Sequence, residues 1–234
     1  MCAVNPEQHN PRDPVPTMGG QVTSGEPVTT GGAYDQNAPD ARAFGARAPY
    51  LPLDSRPDVI SLSTPPLERD VVLAGPVWAR LHVSSTAPDT DFTVKLIDVH
   101  PPNADYPHGF AMNLTDGIVR CRFRHSPERP EPLVPGEVHE VEVRAPDTAN
   151  RFAAGHRIRL DVSPGNFPRF DVNTNTGGAG GDEPSHGGGR EHRAHGRRTP
   201  LPPEGVAGRG SCRVRDVRGR TYFVARTMRR TRSA

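Results

Sequence analysis

The stretch Val77-Trp78-Ala79-Arg80-Leu81-His82-Val83 decides the fold class of this chain. Small and medium apolar side chains (Val, Ala, Leu, Val) occupy every second position, and Trp, Arg and His occupy the positions between them. Successive side chains of a β-strand point to opposite faces, so this alternation predicts a strand with one buried face. The stretch therefore favours a protein built from half-buried strands.

The same kind of pattern recurs between Val59 and Phe170, where most of the apolar residues are concentrated. Five further segments are predicted as strands: Asp70–Ala74, Asp91–Val99, Gly117–Arg124, Val138–Ala145 and His156–Ser163. Turn-forming residues separate them, such as Ala87-Pro88-Asp89 and Thr115-Asp116-Gly117. No segment keeps a helical period over three turns. Many short strands at this spacing predict an all-β protein, a sandwich or a barrel.

Composition divides the chain into three parts. It contains 27 Pro and 24 Gly among 234 residues, and the surplus lies outside the strand-rich window. Each residue before a proline is pushed out of the α region, so residues 1–56 are predicted to form an irregular, extended arm or linker. Residues 57–178 are predicted to form the sandwich. The Gly- and Arg-rich residues 179–234 are predicted to be a disordered tail with one apolar cluster, Thr221–Val224.

Charge and cysteine usage limit the classes of partner. Residues 181–234 hold 13 Arg, five acidic residues and no lysine. Such a tail can neutralise phosphates, but Tyr222 and Phe223 are its only aromatics, so no specific nucleic-acid partner is expected. The three cysteines form no CxxC pair, and there is neither a signal-peptide pattern nor an apolar run of membrane-spanning length. We expect a cytoplasmic protein without a membrane partner.

The residue pattern alone predicts no catalytic or metal site. A serine acyl-hydrolase holds its nucleophile in a strained Gly-x-Ser-x-Gly turn, and the chain has no such pentapeptide. Three tail histidines lie among Gly and Arg, which disfavour a bound cation: His186, His192 and His195. Four aspartates of the strand region lack a calcium-loop consensus: Asp89, Asp91, Asp98 and Asp116. We therefore expect neither a metal nor a cofactor.

Four segments carry a resemblance that alternation alone does not give. In chain order they are NPRDPVPTMGG at 10–20, PLERDVVLAGP at 66–76, VSSTAPDTDFTVKLIDV at 83–99 with LTDGIVR at 114–120, and GHRIRL at 155–160 running to NFPRFDVNTNTG at 166–177. Together they resemble the C-terminal domain of the CocE/NonD hydrolases. This family of serine hydrolases includes cocaine esterase, α-amino-acid ester hydrolases and X-prolyl dipeptidyl aminopeptidases. The resemblance covers about residues 10–178.

The resemblance implies a galactose-binding-like jelly-roll sandwich that packs against an α/β-hydrolase domain. It also implies that the Ser-Asp-His triad belongs to that hydrolase domain, because no residue of this chain matches a triad position. We therefore expect the chain to be inactive alone. The loop after Gly20 lies near the family's acyl pocket, so Val22 and Thr23 are candidate pocket-lining residues of an intact enzyme. The segment Gln21–Thr30 departs from the family pattern.

The tail departs from the family pattern, because the final core strand is not recognisable after Gly177. One set of codons that would encode Glu191–Arg198 gives, in another frame, a polar peptide of the family type, and we hypothesise that residues from about 180 onward are translated out of frame. A truncated sandwich without this strand and without the hydrolase domain exposes a sheet edge and an apolar face, so self-association is expected. The alternative interpretation is a free-standing jelly-roll module that binds carbohydrate or protein.

Overall fold

The computed structural model describes residues 10–20, 32–37, 52–177, 211–215 and 221–225. Its strands are β1 (Ile60–Ser63), β2 (Val71–Val83), β3 (Asp91–His100), β4 (Phe110–Arg120), β5 (His139–Phe152), β6 (Arg157–Ser163), β7 (Ser211–Arg215) and β8 (Thr221–Ala225). The helical elements in these ranges are two short 3-10 turns, Leu53–Ser55 and Cys121–Phe123. Within the same ranges no helix is long and apolar enough to cross a membrane. The predicted all-β class is confirmed.

Two antiparallel sheets enclose the hydrophobic core. One has four strands in the order β1-β6-β3-β4, and the other pairs β2 with β5. The alternation of β2 is as predicted, since Val77, Ala79, Leu81 and Val83 are buried whereas Trp78 is 43% exposed. These side chains pack against the inward rows of the facing sheet, which include Phe92, Val94, Leu96, Ile158, Leu160 and Val162. The result is the sandwich that the alternating pattern predicts.

The β2–β5 pair is longer than the sequence indicates, because a bulge carries it past Gly75-Pro76. The register shifts between Gly75 and Val77, so that two residues of β5 oppose one residue of β2. Proline has no backbone N–H to give to a ladder, and a bulge is a place where none is required. The two predicted segments Asp70–Ala74 and Val77–Val83 therefore belong to one strand.

The turn predicted at Thr115-Asp116-Gly117 is wrong, since these residues lie inside β4. Gly117 has the φ of an ordinary strand residue, and it marks a close approach of β4 to β5 instead. A Cβ at this position would lie 2.3 Å from the carbonyl oxygen of Arg144 and 2.8 Å from the Cα of Ala145. Glycine here lets two backbones meet, which is a use that composition alone does not distinguish from a turn.

Strands β7 and β8 form an antiparallel hairpin inside the tail that the sequence predicts to be disordered. The cluster Thr221–Val224 lies in β8, and each strand has only five residues, which is too short for a clear alternation. β7 contacts β2, and β8 contacts β1 and β6. The structure therefore differs from the prediction at this hairpin, and the rest of the tail lies outside the described residues.

Candidate functional site

The outer face of the four-stranded sheet is buried along much of its central strands, β3 and β6. In β6, Arg159 and Asp161 are each 5% exposed, although their alternation with apolar residues predicts a solvent-facing side. The arm explains the difference, because Val15 and Met18 are buried and the segment around them crosses this face. Polar side chains are thus enclosed between the sheet and the arm. We call the following set the outer-face network: Lys95, Asp116, Arg159, Asp161, Asn166 and Arg169.

A row of opposite charges crosses the centre of this face. Lys95 in β3 pairs directly with Asp116 in β4 and with Asp161 in β6. It is the only lysine in the sequence, and it is 3% exposed. Its Nζ lies 3.5 Å from the carbonyl oxygen of Pro16 in the arm. Burial lowers the pKa of Lys95 to about 8, against the attraction of the two carboxylates, because desolvation penalises the charged form.

Asp116 joins β4 to the segment that follows β6. Its Oδ2 accepts a hydrogen bond of 2.7 Å from the side-chain amide of Asn166, and its Oδ1 accepts one from Arg169. Burial nevertheless raises the pKa of Asp116 above its ordinary value, although Arg169 and Lys95 both favour the charged form. The cluster therefore holds the segment in place at a cost in desolvation.

The arm lies beside the same segment. The backbone N–H of Thr17 donates to the carbonyl of Phe167 at 2.7 Å, and the N–H of Phe167 donates to the carbonyl of Val15 at 2.9 Å. The hydroxyl of Thr17 donates to the carbonyl of Asn166 at 2.9 Å. These bonds run between residues about 150 positions apart in the chain. They fix the direction in which the arm continues towards Gly20.

Two buried arginines, Arg56 and Arg159, form ion pairs beside the arm. Arg56 forms a two-pronged ion pair with Asp58, with both distances 2.8 Å, and donates to the carbonyl of Asp13 at 2.8 Å. Arg159 forms a similar pair with Asp161 at 2.8 and 2.7 Å, and a contact of 3.2 Å with Asp54. The start of the arm and the 3-10 turn that precedes β1 are thus tied to charged groups.

The arm contains a closed loop base, formed by Gly20 and Gly32. Gly20 and Gly32 exchange two backbone hydrogen bonds of 2.8 Å, and this pair encloses residues 21–31. Gly19 has a φ of +67°, and a Cβ on it would lie 2.4 Å from the carbonyl oxygen of Gly32. Any larger residue at this position would open the base. Both ends of the 21–31 segment therefore leave from one fixed point.

The outer-face network lies directly beneath this loop base. A Cβ on Gly20 would be 3.1 Å from Nη1 of Arg169 and 3.3 Å from Oδ1 of Asp116. Three buried side-chain oxygens belong to the arm, β4 and the segment after β6, and they have no hydrogen-bond partner among the described residues: Gln36 Oε1, Asn113 Oδ1 and Asn166 Oδ1. The outer-face network is therefore a charged layer directly beneath the Gly20–Gly32 base, and we call this layer the floor.

The sequence of this sandwich matches an established domain family. Residues 13–200 match the family described as the X-Pro dipeptidyl-peptidase C-terminal non-catalytic domain. The chain belongs to this family. The matched range includes the arm residues from Asp13 onward, all strands of the sandwich and the whole outer-face network.

Relatives of this non-catalytic domain are parts of longer hydrolases. Cocaine esterase from Rhodococcus sp. (strain MB1 Bresler) is 41% identical over 170 residues, which cover 73% of this chain and 26% of the esterase. A putative serine esterase from Mycobacterium bovis is 26% identical over 131 residues, which cover 49% of this chain and 20% of that protein. The chain thus spans about a quarter of the length of the curated relatives it matches.

Solved structures show the same relation. An aminopeptidase from a marine sediment Thaumarchaeota archaeon matches with a TM-score of 0.58 and 30% identity over 71% of this chain and 26% of the other. An α-amino-acid ester hydrolase matches with a TM-score of 0.52 and 28% identity over 70% of this chain and 30% of the other. The chain is a C-terminal non-catalytic domain of the CocE/NonD hydrolase type, and the predicted resemblance is confirmed.

The candidate residues of the sequence analysis fall in different places of this domain. Val22 and Thr23 lie outside the described residues, and so do the three tail histidines. Asp91 forms a two-pronged pair with Arg120 at 3.0 Å, and Asn173 donates to Asp89 at 3.1 Å and to Asp91 at 2.7 Å. These two carboxylates therefore already have cationic and amide partners.

The outer-face network itself was not predicted, although three of the four resembling segments cover or supply it: 10–20, 83–99 with 114–120, and 155–177. Lys95 lies in the buried run Asp91–Asp98, and its being the single lysine of the sequence is the one available signal. Asn166 and Arg169 come from the last segment, and the sequence predicts Asp116 in a turn. Their common position depends on how the arm crosses the sheet, which no local pattern encodes.

Proposed function

We propose that this domain docks through its arm and its 21–31 loop against the α/β-hydrolase domain of a serine acyl-hydrolase. In the assembled enzyme Val22 and Thr23 line the acyl pocket, and the hydrolase domain supplies the nucleophile that forms an acyl-enzyme from an ester or amide. The observation that carries this proposal is the Gly20–Gly32 loop base seated on the outer-face network.

The energetics of the network support a positioning role. Desolvation is the largest influence on the pKa of both Lys95 and Asp116, and it opposes the charged form of each. Buried ion pairs of this kind are often replaced by apolar residues without loss of stability. A contribution to stability therefore does not explain this cluster. The need to hold the Gly20–Gly32 base in one orientation does explain it.

The unpartnered oxygens support a contact above the floor. A buried acceptor without a donor costs about 1–3 kcal/mol. Gln36, Asn113 and Asn166 each present such an oxygen near the loop base. Donors from the 21–31 loop or from a docked domain would satisfy them, which is the kind of completion that a domain interface provides.

The relatives support acyl transfer as the chemistry of the whole enzyme. They are named an esterase, an ester hydrolase and an aminopeptidase, and all attack an acyl carbon. The chain contributes no Gly-x-Ser-x-Gly turn, so its part is structural. Where the hydrolase domain is not bound, we propose self-association through the same face. The buried free thiol of Cys121 supports a cytoplasmic location.

A domain exchange tests the role of the loop. The C-terminal quarter of the Rhodococcus cocaine esterase is replaced by this chain, and p-nitrophenyl esters of increasing acyl length are assayed. Val22→Ala removes two methyl groups, and Thr23→Ala removes one methyl group and a hydroxyl. Because each variant enlarges the pocket, it should change the ratio of kcat/KM between long and short acyl chains by about tenfold. Val134→Ala, at a valine that is 50% exposed, is the matched control and should leave this ratio unchanged.

An unchanged ratio in both loop variants, in an exchanged enzyme that remains active, would contradict the pocket assignment of Val22 and Thr23. An equal change in the Val134→Ala control would show that the effect is not specific to the loop. Either outcome leaves the membership of the chain in its family untouched, because that rests on the matched sequence.

A further inference from the structure

A second polar cluster lies at the opposite end of the β3–β6 ladder from the network row. Asp98 and His100 are two positions apart in β3, so they project from the same face of that strand. His156 immediately precedes β6, and the antiparallel register places it across from His100. Neighbours of this kind on one face lie within side-chain reach. The register therefore brings a carboxylate and two imidazoles together.

The side chains meet as the register requires. Nδ1 of His156 is 2.9 Å from Oδ1 of Asp98, and Nε2 of His100 is 3.6 Å from Oδ2 of the same carboxylate. The two imidazole rings are 4.2 Å apart between centroids. One ligand atom from each residue lies within 4.8 Å of the others. We propose that Asp98, His100 and His156 form a Zn²⁺ site.

The spacing suits the ion. Zinc binds imidazole nitrogen and carboxylate oxygen at about 2.0–2.2 Å, which separates neighbouring ligand atoms of a tetrahedral site by about 3.4 Å. The two imidazole nitrogens lie 2.9 and 3.6 Å from the two oxygens of Asp98, close to that value, and one ligand atom from each of the three residues lies within 4.8 Å of the others. Small side-chain rotations would therefore bring the three ligand atoms to the separations of a zinc site. Two histidines and one carboxylate form a ligand set that divalent transition metals, zinc among them, commonly take.

An unsatisfied atom points to a missing ligand partner. Nε2 of His100 is buried and has no hydrogen-bond partner among the described residues. Asp98 is 1% exposed, and its Oδ2 also accepts a hydrogen bond of 2.9 Å from the side-chain amide of Asn150. Asn150 thus orients the carboxylate, as outer partners do for metal ligands. A zinc ion would satisfy the nitrogen of His100 that the protein leaves free.

The proton balance of binding is simple. Without zinc, the Nδ1–H group of His156 donates a hydrogen bond to Asp98. Zinc would replace this hydrogen on Nδ1, and the proton would move to Nε2 of the same ring. His100 presents Nε2 as a lone pair when its proton is on Nδ1. Both imidazoles are then neutral ligands and Asp98 is the single anionic one. When both imidazoles are neutral before binding, no net proton is released.

A cavity beside the cluster leaves room for an exogenous ligand. It has a volume of about 270 Å³, and His100, His108, Arg157 and Asn37 are among its lining residues. Three protein ligands with an accessible fourth position are typical of zinc sites that keep a water or a substrate atom. The lining is mostly proline and other apolar residues, with Arg157 as its permanent cation, so a water molecule or a small anion would be the fourth ligand. This inference does not depend on the proposed docking to a hydrolase domain.

Metal-free full-length chain provides the test. Zn²⁺ is titrated by calorimetry, and Co²⁺ by visible absorption, at neutral pH. We expect tight binding by the wild type and the absorption bands of a four- or five-coordinate Co²⁺ ion. His100→Gln and His156→Gln should each weaken Zn²⁺ binding by at least about tenfold, and Asn150→Ala by about 10–100-fold. Zinc should also raise the Tm of the wild type, and EDTA should reverse that rise.

Two controls separate this cluster from other histidines. His82→Gln removes an exposed histidine that also lies near a carboxylate, 3.2 Å from Glu140, and should bind zinc as the wild type does. A variant with His186, His192 and His195 replaced by Gln removes the tail histidines and should keep the cobalt spectrum. Loss of binding only in the tail variant would overturn the proposal. So would an unchanged affinity in His100→Gln and His156→Gln, or a Tm that neither zinc nor EDTA moves.

Discussion

Lys95 shows how the outer face differs from an ordinary sheet surface. A lysine on a strand is normally solvated, whereas this one is 3% exposed and lies between Asp116 and Asp161. Its charge is stabilised by the two carboxylates and destabilised by burial, and burial has the larger effect on its pKa. The residue therefore reports directly on whether the arm covers the sheet.

The pKa of Lys95 can be measured because the sequence has no other lysine. Chain labelled with [¹³Cε]lysine should give one ε-carbon signal that titrates at about pH 8 in the folded state. After unfolding, the same signal should titrate near the ordinary value of 10.5. A folded-state midpoint at that ordinary value would contradict the burial of Lys95 under the arm.

Stability should follow the same group. Below pH 8 Lys95 is charged in both states, and its burial is then fully unfavourable. Between the two pKa values the unfolded state binds more protons, so the free energy of unfolding should rise with pH, by about 3 kcal/mol in total. Lys95→Met should lack this rise, and the difference between the two proteins in urea titrations isolates it from other titrating groups, such as the Cys121 thiol.

Residue roles were the part of the site that the sequence could not supply. Alternation predicted Arg159 and Asp161 on a solvent face, and both are buried because the arm covers them. Asp116 was predicted in a turn and lies in mid-strand. Each error has the same origin, since periodicity reports which side chains share a face and does not report what covers that face.

At the scale of elements, β4 and β5 bring the two sheets into close contact. Strand β4 runs from Phe110 to Arg120, and its only glycine stands where the carbonyl of Arg144 approaches. A side chain here would press against backbone, which cannot rotate away. The position of this glycine therefore sets the distance between the sheets at one edge of the sandwich.

Gly117→Ala should destabilise the fold by about 1–3 kcal/mol, the usual cost of overpacking, since its Cβ would be 2.3 Å from the Arg144 carbonyl oxygen. Gly165→Ala is the matched control, because a Cβ there meets nothing within 4 Å. Urea denaturation of the two variants measures the difference. Equal stability of the two variants would show that β4 and β5 are not packed as described.

Element prediction succeeded for β2, β3, β5 and β6 and failed for β1 and for the first half of β4. The alternating segments of β2, β5 and β6 were all located from sequence, with boundaries too short at the β2–β5 bulge. The first half of β4 was missed because its two rows are both largely enclosed, and Asn113 and Thr115 in it are polar. Strand β1 has only four residues, too few to establish a period.

For the whole molecule, the two faces of the four-stranded sheet have different tasks. The inner face supplies the core of the sandwich, and the outer face carries buried charges under an arm that contains the Gly20–Gly32 base. A free-standing binding module would need only the first. The second is the reason to view the chain as one part of a larger acyl-hydrolase.

The four resembling segments are enough to indicate the family from sequence, because they occur in the family order and span the arm, the strands and the segment after β6. They could not locate the floor beneath the loop, which forms only when residues about 50 to 80 positions apart meet. They also gave no indication of the Asp98, His100 and His156 cluster, since His100 lies outside them.

Ester hydrolysis by the exchanged enzyme tests the central claim most directly. The Rhodococcus cocaine esterase with its C-terminal quarter replaced by this chain should hydrolyse p-nitrophenyl esters with a kcat/KM within about a hundredfold of the parent, or about 3 kcal/mol in transition-state stabilisation. This chain alone should show only background hydrolysis and no acyl-enzyme burst. A folded, monodisperse exchanged enzyme without activity, or a burst from the chain alone, would contradict the account.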